Sequence, residues 1–564
     1  MTNNNHNEIF ISTPLGSIDK ENSVINLEQI HEDAMFIHRN RRLSKKKMRR
    51  GERKVLAILV QDIFGNAPHQ SEERMARDLF GIGEPIGSNN LVCACSSINK
   101  MFFKDCHLTF VILLNLLELN QRERYMSCSN GQLSFVPTHG KHIRDGIMTV
   151  TLNWNIKGMS YLDVSNKAMD QLQQEDIERD HTMFIMPDSV NFGDGAAYGE
   201  TFGQISWFMS FVASYPIIQV RQFSYVRSET TLMKKEMILT SLFAFLNLYS
   251  KVHEMGHNLG HSHSGSVSNP YGDSACMMGL AGDISLDSNR CFNPAKTWYN
   301  DWFREHHGIV SPLQQGYDGN LVGLDDTANN RISHNQHAVV KVDSTDANGQ
   351  NSYDLFLMFN RKKGILKDVP SNIDERVIIT EQASDGSESI QVASLASGES
   401  YVQRNWHKGK SLVVKNCALG QKGAALSSRV LIYYKGAGEL YCNDVQLRNR
   451  GLSNKCITEK NGSLKVSSCN NLFSQRWHID NDGRIHNTAT NRCIVGKNGA
   501  TSAGTKVVLG PCKDGKKYQF IMSSGKIKPK RNKKVCIGKS KQSNRLELMP
   551  CARLYTQWDE DKMF

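Results

Sequence analysis

The stretch HEMGHNLGHSHS, residues 253–264, sets four histidines and a glutamate within twelve positions. His253 and His257 are four residues apart, so on a helix they leave the same face one turn apart, and two imidazoles so placed can share one metal ion. Glu254 is too close in sequence to ligate that ion from the same helix, but it can reach a water beside it and take its proton. Gly260 comes three residues after His257, where a backbone free to adopt positive φ can end the helix and turn the chain under the metal. The turn delivers His263 as third ligand. Three neutral nitrogen donors leave the fourth tetrahedral position open, which separates a catalytic zinc site from a closed structural one. The cofactor expected is Zn2+, and the chemistry is hydrolysis of a peptide bond without a covalent intermediate. His261 falls out of register with the other three and reads as a surface residue or as one standing behind the ligands.

A chain of 564 residues exceeds what one hydrophobic core can fill, so several domains are expected. With 39% hydrophobic and 22% charged residues it falls among ordinary globular proteins. The longest apolar run, LTFVILLNLLEL at 108–119, is shorter than the roughly 20 residues that span a bilayer, so no transmembrane segment is expected. Residues 1–52 are polar and then basic and read as a leader or pro-segment. From KVLAILVQD onward, strand candidates (GQLSFVP, GIMTVTLNWN, HTMFIMP) mix with helices such as EERMARDLFG, stopped at glycine; residues 53–311 therefore read as an α/β catalytic unit. Two stretches, 100–125 and 221–251, sit awkwardly in that pattern and are candidate insertions. Residues 312–445 alternate in short segments (HAVVKVD, YDLFLMFN, RVIITEQ, SLVVKN, RVLIYYK) separated by polar turns, the pattern of an all-β sandwich. Residues 446–564 repeat with a period of about forty residues: each unit opens on Cys-Ile, closes a cysteine pair and ends on an aromatic, so three equivalent β units sharing one core are expected.

Fourteen cysteines, paired by spacing in the C-terminal half, point to disulfides and hence to the cell exterior or a cell wall. The first twenty residues lack the apolar core of a secretory signal, so that location requires an incomplete start or an unusual export route. The net charge of +12 concentrates at HRNRRLSKKKMRRGERK (38–54) and KIKPKRNKK (526–534). An anionic matrix polymer is a candidate partner for such clusters. Nucleic acid is not expected, because no aromatics are interleaved as a stacking platform.

HExxHxxGxxH resembles the metzincin signature, and YGDSACMMG supplies the methionine turn that follows it, with Met278 as the residue under the site and Met277 as the alternative. With RCFNPAKTWYNDWF downstream and CSNGQLSFVP upstream, residues from about 53 to 440 resemble the gametolysin family, secreted metallopeptidases that degrade cell-wall glycoproteins. The resemblance implies zinc on His253, His257 and His263, catalysis by Glu254, a structural turn at Met278 and a protein or glycoprotein substrate. Cys276 and Cys291 bracket the turn and are candidates for a disulfide, two free thiols being the alternative. Relatives run from a segment like ASYPIIQV almost directly into HExxH, whereas residues 221–251 intervene here. If that stretch is native and disrupts the site, the protein is an inactive adhesion or lectin-like protein instead. A thiolate from Cys93, Cys95 or Cys106 is a candidate for blocking the open zinc position before processing, structural cysteines being the blander reading.

The repeats resemble the ricin-type β-trefoil lectin, whose units close on Gln-x-Trp, here SQRW. That implies disulfides Cys456–Cys469, Cys493–Cys512 and Cys536–Cys551 and a shared core of Trp477, Phe520 and Trp558. Gln475 keeps the glutamine of the motif, while Tyr518 and Thr556 replace it. Where the family usually sets a sugar-orienting aspartate, this chain has Thr458, Val495 and Gly538, so sugar binding is a weaker expectation than the fold.

Overall fold

A computed structural model describes residues 49–82, 120–172, 177–193, 197–201, 203–209, 251–279, 290–310, 316–327, 336–344, 353–366, 369–407, 409–422, 425–435, 439–470 and 472–562. All belong to one compact unit spanning residues 45–564. Residues 100–119 and 221–250 of the two awkward stretches, Cys93, Cys95 and Cys106, and residues 1–48 of the expected leader lie outside the described residues. Among the described residues the chain is mostly β and no helix is long and apolar enough to cross a membrane.

The N-terminal sheet is built on β1 (Gly51–Asp62), whose run VLAILV is buried on both faces. Such a strand reads as continuous rather than alternating hydrophobicity because helices cover both sides of a parallel sheet. β2 (Leu133–Pro137) and β3 (Ile147–Leu152) share one edge of β1, β4 (His181–Met186) flanks the other, and all run parallel to it. β5 (Ala197–Gly199) and β6 (Ile205–Met209) extend the sheet beyond β4, with β6 parallel to β4 and β5 antiparallel to β6. Helix α1 (Glu72–Phe80) is capped by Ser71 and stopped by Gly81 at φ 71°. Helix α2 (Gln121–Cys128) packs beside it, and α3 (Tyr161–Leu172) covers the opposite face through Val164, Ala168 and Leu172.

Helix α4, residues 251–258, carries the first two histidines. Its start is held by α2: the Tyr125 hydroxyl donates to the Val252 carbonyl at 2.7 Å, and Gln121 Nε2 to the Lys251 carbonyl at 3.3 Å. This corrects the limits of both candidate insertions. Gln121 and Lys251 are buried and Tyr125 is part of the core, so the fold uses the ends of both stretches. The expected leader is shortened likewise. Arg49 is buried with its guanidinium 3.7 Å over the Tyr299 ring, and its carbonyl accepts the Trp302 indole N–H at 2.9 Å.

Downstream, β7 (Ser264–Ser266), helix α5 (Pro294–Tyr299) and β8 (His307–Val310) lead into two packed sheets. One contains β9 (Tyr317–Val322), β10 (Gln336–His337), β15 (Ser400–His407), β16 (Lys410–Lys422) and β17 (Ala425–Tyr434) in the order β10-β9-β17-β16-β15. The other contains β11 (Val339–Val342), β12 (Asp354–Asn360), β13 (Arg376–Gln382) and β14 (Ser389–Leu395), with β7 and β8 as its two edges. Residue 311 therefore does not separate two folding units: strands from before it complete a sheet built mainly after it. On β12, Leu355, Leu357 and Phe359 face the core between the two sheets, whereas Met358 joins the core that also holds Val252 and Met255 of α4. That double burial is why DLFLMFN lacks polar alternation.

Twelve short strands between Val445 and Lys562 form the last region. Residues 445–449 pair with 558–562 and so close the ring. Each of the hairpins 455–468, 492–510 and 535–550 carries one disulfide, Cys456–Cys469, Cys493–Cys512 and Cys536–Cys551. Trp477, Phe520 and Trp558 meet in the common core, and both indoles donate to equivalent carbonyls, Trp477 to Ile457 at 3.1 Å and Trp558 to Ile537 at 2.8 Å.

Candidate functional site

Three constraints set the histidines. Helix α4 presents His253 and His257 on one face; Gly260, at φ 92°, ends it with its N–H on the His257 carbonyl at 2.8 Å; and β7, starting at Ser264, fixes the residue just before it, His263. The ring centroids lie 5.0 Å (His253–His257), 4.8 Å (His257–His263) and 5.4 Å (His253–His263) apart, and one nitrogen from each ring comes within 4.8 Å of the others.

The tautomers are set from behind. His253 Nδ1 lies 3.0 Å from the Met277 carbonyl and His257 Nδ1 2.7 Å from the His261 carbonyl. A carbonyl only accepts, so each Nδ1 carries the proton and each Nε2 is the nitrogen with the lone pair. Burial pushes His253 down to about 3, and His257 and His263 down to about 4. All three are neutral at neutral pH, as metal ligation requires. Glu254 is buried beside them, and loss of solvation raises its carboxyl to about 8. Tyr271 packs its ring 4.2 Å from His263.

His261 is fully buried, which removes the surface reading. Its Nε2 meets Asn300 Oδ1 at 2.9 Å while its carbonyl orients His257, so it stands behind a candidate ligand and fixes the turn there.

Both methionines of the turn have a place. Met278 lies directly under α4: a Cβ on Gly256 would stand 2.3 Å from its sulfur, so any larger residue there must displace Met278. Met277 supplies the carbonyl that holds His253. The expected Cys276–Cys291 bridge is not formed. Cys291 is bonded to Cys128 at the end of α2, and Cys276 is a buried thiol whose sulfur accepts the N–H groups of Met278 and Asn293, each at 3.4 Å. Burial raises that thiol to about 11, so it is chemically quiet.

The residues that lock this loop were not singled out in the sequence. Asn293 caps α5, and its Nδ2, which carries two hydrogens, lies within hydrogen-bond distance of Ser264 Oγ (2.7 Å), Asp273 Oδ2 (2.9 Å) and Ser389 Oγ (2.8 Å), joining the His263 segment, the methionine turn and β14. Lys296 is buried with its ammonium on the Ser262 and His263 carbonyls at 2.7 and 3.2 Å, and burial lowers it to about 8. The Asn-Pro of FNPAKTWY was a readable helix start, with Pro at the first helical position. Its long-range partners were not readable.

In the C-terminal region Gln475 is a strut. Its Nε2 donates to Thr458 Oγ1 at 2.9 Å and to the Ser468 carbonyl at 2.7 Å, while its Oε1 accepts from Gln446 Nε2 at 3.1 Å and the Asn470 N–H at 2.9 Å. Thr556, in the equivalent place of the third unit, bonds its own turn, and Tyr518 lies beneath the Lys517 ammonium at 5.0 Å. Thr458, Val495 and Gly538 are buried, and a Cβ at Gly538 would stand 2.7 Å from the Met549 sulfur. No carboxylate is present at any of these three positions. The region is fastened to the preceding sheets by the unanticipated disulfide Cys417–Cys442 and by Asp318, which takes a two-pronged ion pair from Arg429 (2.9 and 2.8 Å) and another from Arg476.

No curated protein matches this chain. Among solved structures it is similar to the Vibrio vulnificus hemolysin/cytolysin β-trefoil lectin with N-acetyl-D-lactosamine bound (14% identity, 21% of this chain and 94% of that one, TM-score 0.19). It is also similar to the agglutinin from Abrus precatorius (15% identity, 36% and 92%, TM-score 0.19) and to the C-half of the earthworm R-type lectin in complex with GalNAc (12% identity, 21% and 98%, TM-score 0.18). Likenesses at this level say nothing about what this chain binds. Residues 388–520 match the family model described as Ricin-type beta-trefoil lectin domain. The match opens beside β14 and closes at Phe520, within the twelve-strand region that runs on to Lys562. The C-terminal part of the chain is a ricin-type β-trefoil lectin domain.

Proposed function

We propose that the chain is a zinc-dependent endopeptidase of the gametolysin type, held on a glycan-rich or anionic extracellular matrix by its trefoil. The observation that carries this reading is the convergence of three neutral imidazoles, two of them aimed by carbonyls, beside a buried carboxylate. This donor set fits zinc, with His253, His257 and His263 as ligands. When bound, the ion supplies Lewis acidity and renders water nucleophilic at neutral pH.

The remaining work falls to the chain. Glu254 takes the proton of the attacking water and returns it to the leaving amine; a carboxylate that burial holds at about 8 ionises once a dication stands beside it. β5 is an edge of its sheet and lies against α4, so close that a Cβ on Gly199 would stand 2.4 Å from the Glu254 carbonyl oxygen. An extended peptide can add to such an edge by main-chain hydrogen bonds, which brings its scissile bond to the histidines. Casein cleavage by the full chain and by Glu254→Ala tests the assignment. The wild type cleaves and the variant loses activity by ~10²-fold or more, the low end of a lost general base; equal activity, or none in either, defeats it.

A further inference from the structure

Residues 497–534 hold eleven lysines and arginines against one acidic residue, Asp514, so this stretch alone accounts for nearly all of the chain's formal charge of +12. The fold gathers those charges. Three loops of the trefoil, at 497–501, 511–519 and 530–534, touch one another: Asn532 Nδ2 donates to the Thr501 carbonyl at 2.8 Å, the Lys530 N–H donates to the Gln519 carbonyl at 2.8 Å, and a Cβ on Gly499 would stand 3.3 Å from Lys517 Cδ. Lys497, Lys513, Lys516, Arg531, Lys533 and Lys534 are exposed on these loops. Strand 526–529 adds to the same region by its alternation, with Ile527 and Pro529 inward and Lys526 and Lys528 less buried. Asp514 is already paired with Arg484. Among the described residues no acidic side chain forms an ion pair with the six exposed loop cations. Elsewhere in the trefoil the fold does pair its arginines, as with Arg448 and Arg450 on Asp561 and Asp559.

Like charges brought together and left without counter-charges repel one another, and such a face is relieved when a polyanion lies on it and its condensed counterions are released. The disulfides place this face in an oxidising compartment, where a fixed polymer of sulfate or carboxylate groups is a polyanion it meets. The face also lacks what base stacking needs: Phe520 is buried in the core, which leaves Tyr518 as the sole aromatic of these loops. The buried positions two residues after the first cysteine of each unit, Thr458, Val495 and Gly538, carry no carboxylate. We infer that the trefoil binds acidic polysaccharide, sulfated or uronic, through the face formed by its 497–501, 511–519 and 530–534 loops. This rests on reading the trefoil as an attachment module and names the ligand class and the surface.

The test uses the full chain with dextran sulfate and polygalacturonate as probes, dextran as the neutral control, and single-stranded DNA and phosphatidylserine vesicles as rival polyanions. The loop variant carries Lys516→Glu, Lys517→Glu, Lys533→Glu and Lys534→Glu. A control of equal charge change carries Lys157→Glu, Lys362→Glu, Lys410→Glu and Lys435→Glu. The expected result is acidic-polysaccharide binding that weakens steeply with salt, falls ~tenfold or more in the loop variant and is kept by the control. Casein cleavage, read in parallel, stays at the wild-type level in the loop variant. Equal loss in both variants shows a general charge effect and overturns the face; tighter binding of DNA or vesicles than of dextran sulfate overturns the ligand class. Binding to dextran alone defeats this inference but leaves glycan attachment standing, whereas binding to none of the polysaccharides defeats both.

Discussion

Gly256→Ala adds a single methyl group, and the structure says where it goes. The new Cβ stands 2.3 Å from the Met278 sulfur and 3.3 Å from its terminal methyl, against ordinary contacts of about 3.5–4.0 Å. Met278 must retreat by more than about 1 Å, yet it is fully buried and its carbonyl accepts the Ser264 N–H at 2.8 Å. Two effects on stability oppose each other. Alanine gains about 1 kcal/mol over glycine inside a helix, and overpacking a tight core costs about 1–3 kcal/mol. The net loss is about 0–2 kcal/mol, so the zinc-free protein still folds. The larger effect is on the metal. Met278 is bonded directly to Met277, whose carbonyl aims His253, and loss of such a partner weakens metal binding by about 10–100-fold. Competition against a fluorescent zinc chelator measures this, and the thermal midpoint of the zinc-free protein controls for folding. The double variant Gly256→Ala with Met278→Ala clears the space and recovers part of the affinity. Wild-type zinc binding in Gly256→Ala, together with a raised midpoint, would refute the placement of Met278 beneath the helix.

Three further outcomes are expected. Burial holds His253, His257 and His263 near 3–4, below the ~6.5 of an unfolded chain, so between about pH 4 and 6.5 the unfolded chain binds protons that the folded one refuses. The stability that these three rings contribute is therefore complete above about 6.5 and declines as pH falls through that window, and it outweighs the opposite contribution of the single Glu254 carboxyl, which burial raises to about 8 and which favours the folded chain as pH falls; a zinc-free midpoint that is flat or rises from neutral pH to about pH 5 counts against buried neutral imidazoles. The pair Cys128→Ser and Cys291→Ser opens a link of 163 residues that ties α2, and through it the start of α4, to the methionine turn. Chain entropy puts the loss at up to about 5 kcal/mol, so the doubly substituted chain melts lower and loses zinc more readily, whereas Cys276→Ala does neither beyond a small packing cost. Finally, peptide mapping of the natural protein is expected to recover peptides bordering residues 221–250 and none from inside; recovery from inside makes the segment native and a neighbour of the site.

The histidine cluster was legible where it depends on local spacing. Histidines at i and i+4, a glycine three residues on and a third histidine after the turn are a local pattern that brings three rings together, and the forty-residue repeat likewise announces three hairpins whose cysteines pair within each unit. What the sequence hid depends on contacts far apart along the chain. Cys291 has Cys276 fifteen residues away, yet its partner is Cys128, because the end of α2 lies against the methionine turn only after the sheet has formed. The residue boundaries misled for the same reason. β7 follows the third histidine directly and lies within the expected catalytic unit, but it pairs with β14 and becomes an edge of a sheet built more than a hundred residues later. Buried polar groups such as Asn293, Asp273 and Lys296 gave no pattern, since their partners are scattered over 262–389.

The most direct test of the account is metal content. Full-length protein, shown to be folded by a cooperative melt, is stripped with chelator, re-exposed to zinc and measured by elemental analysis beside His257→Ala. The account predicts stoichiometric, tightly held zinc in the wild type and little in the variant; a folded wild-type chain that takes up no zinc would contradict it.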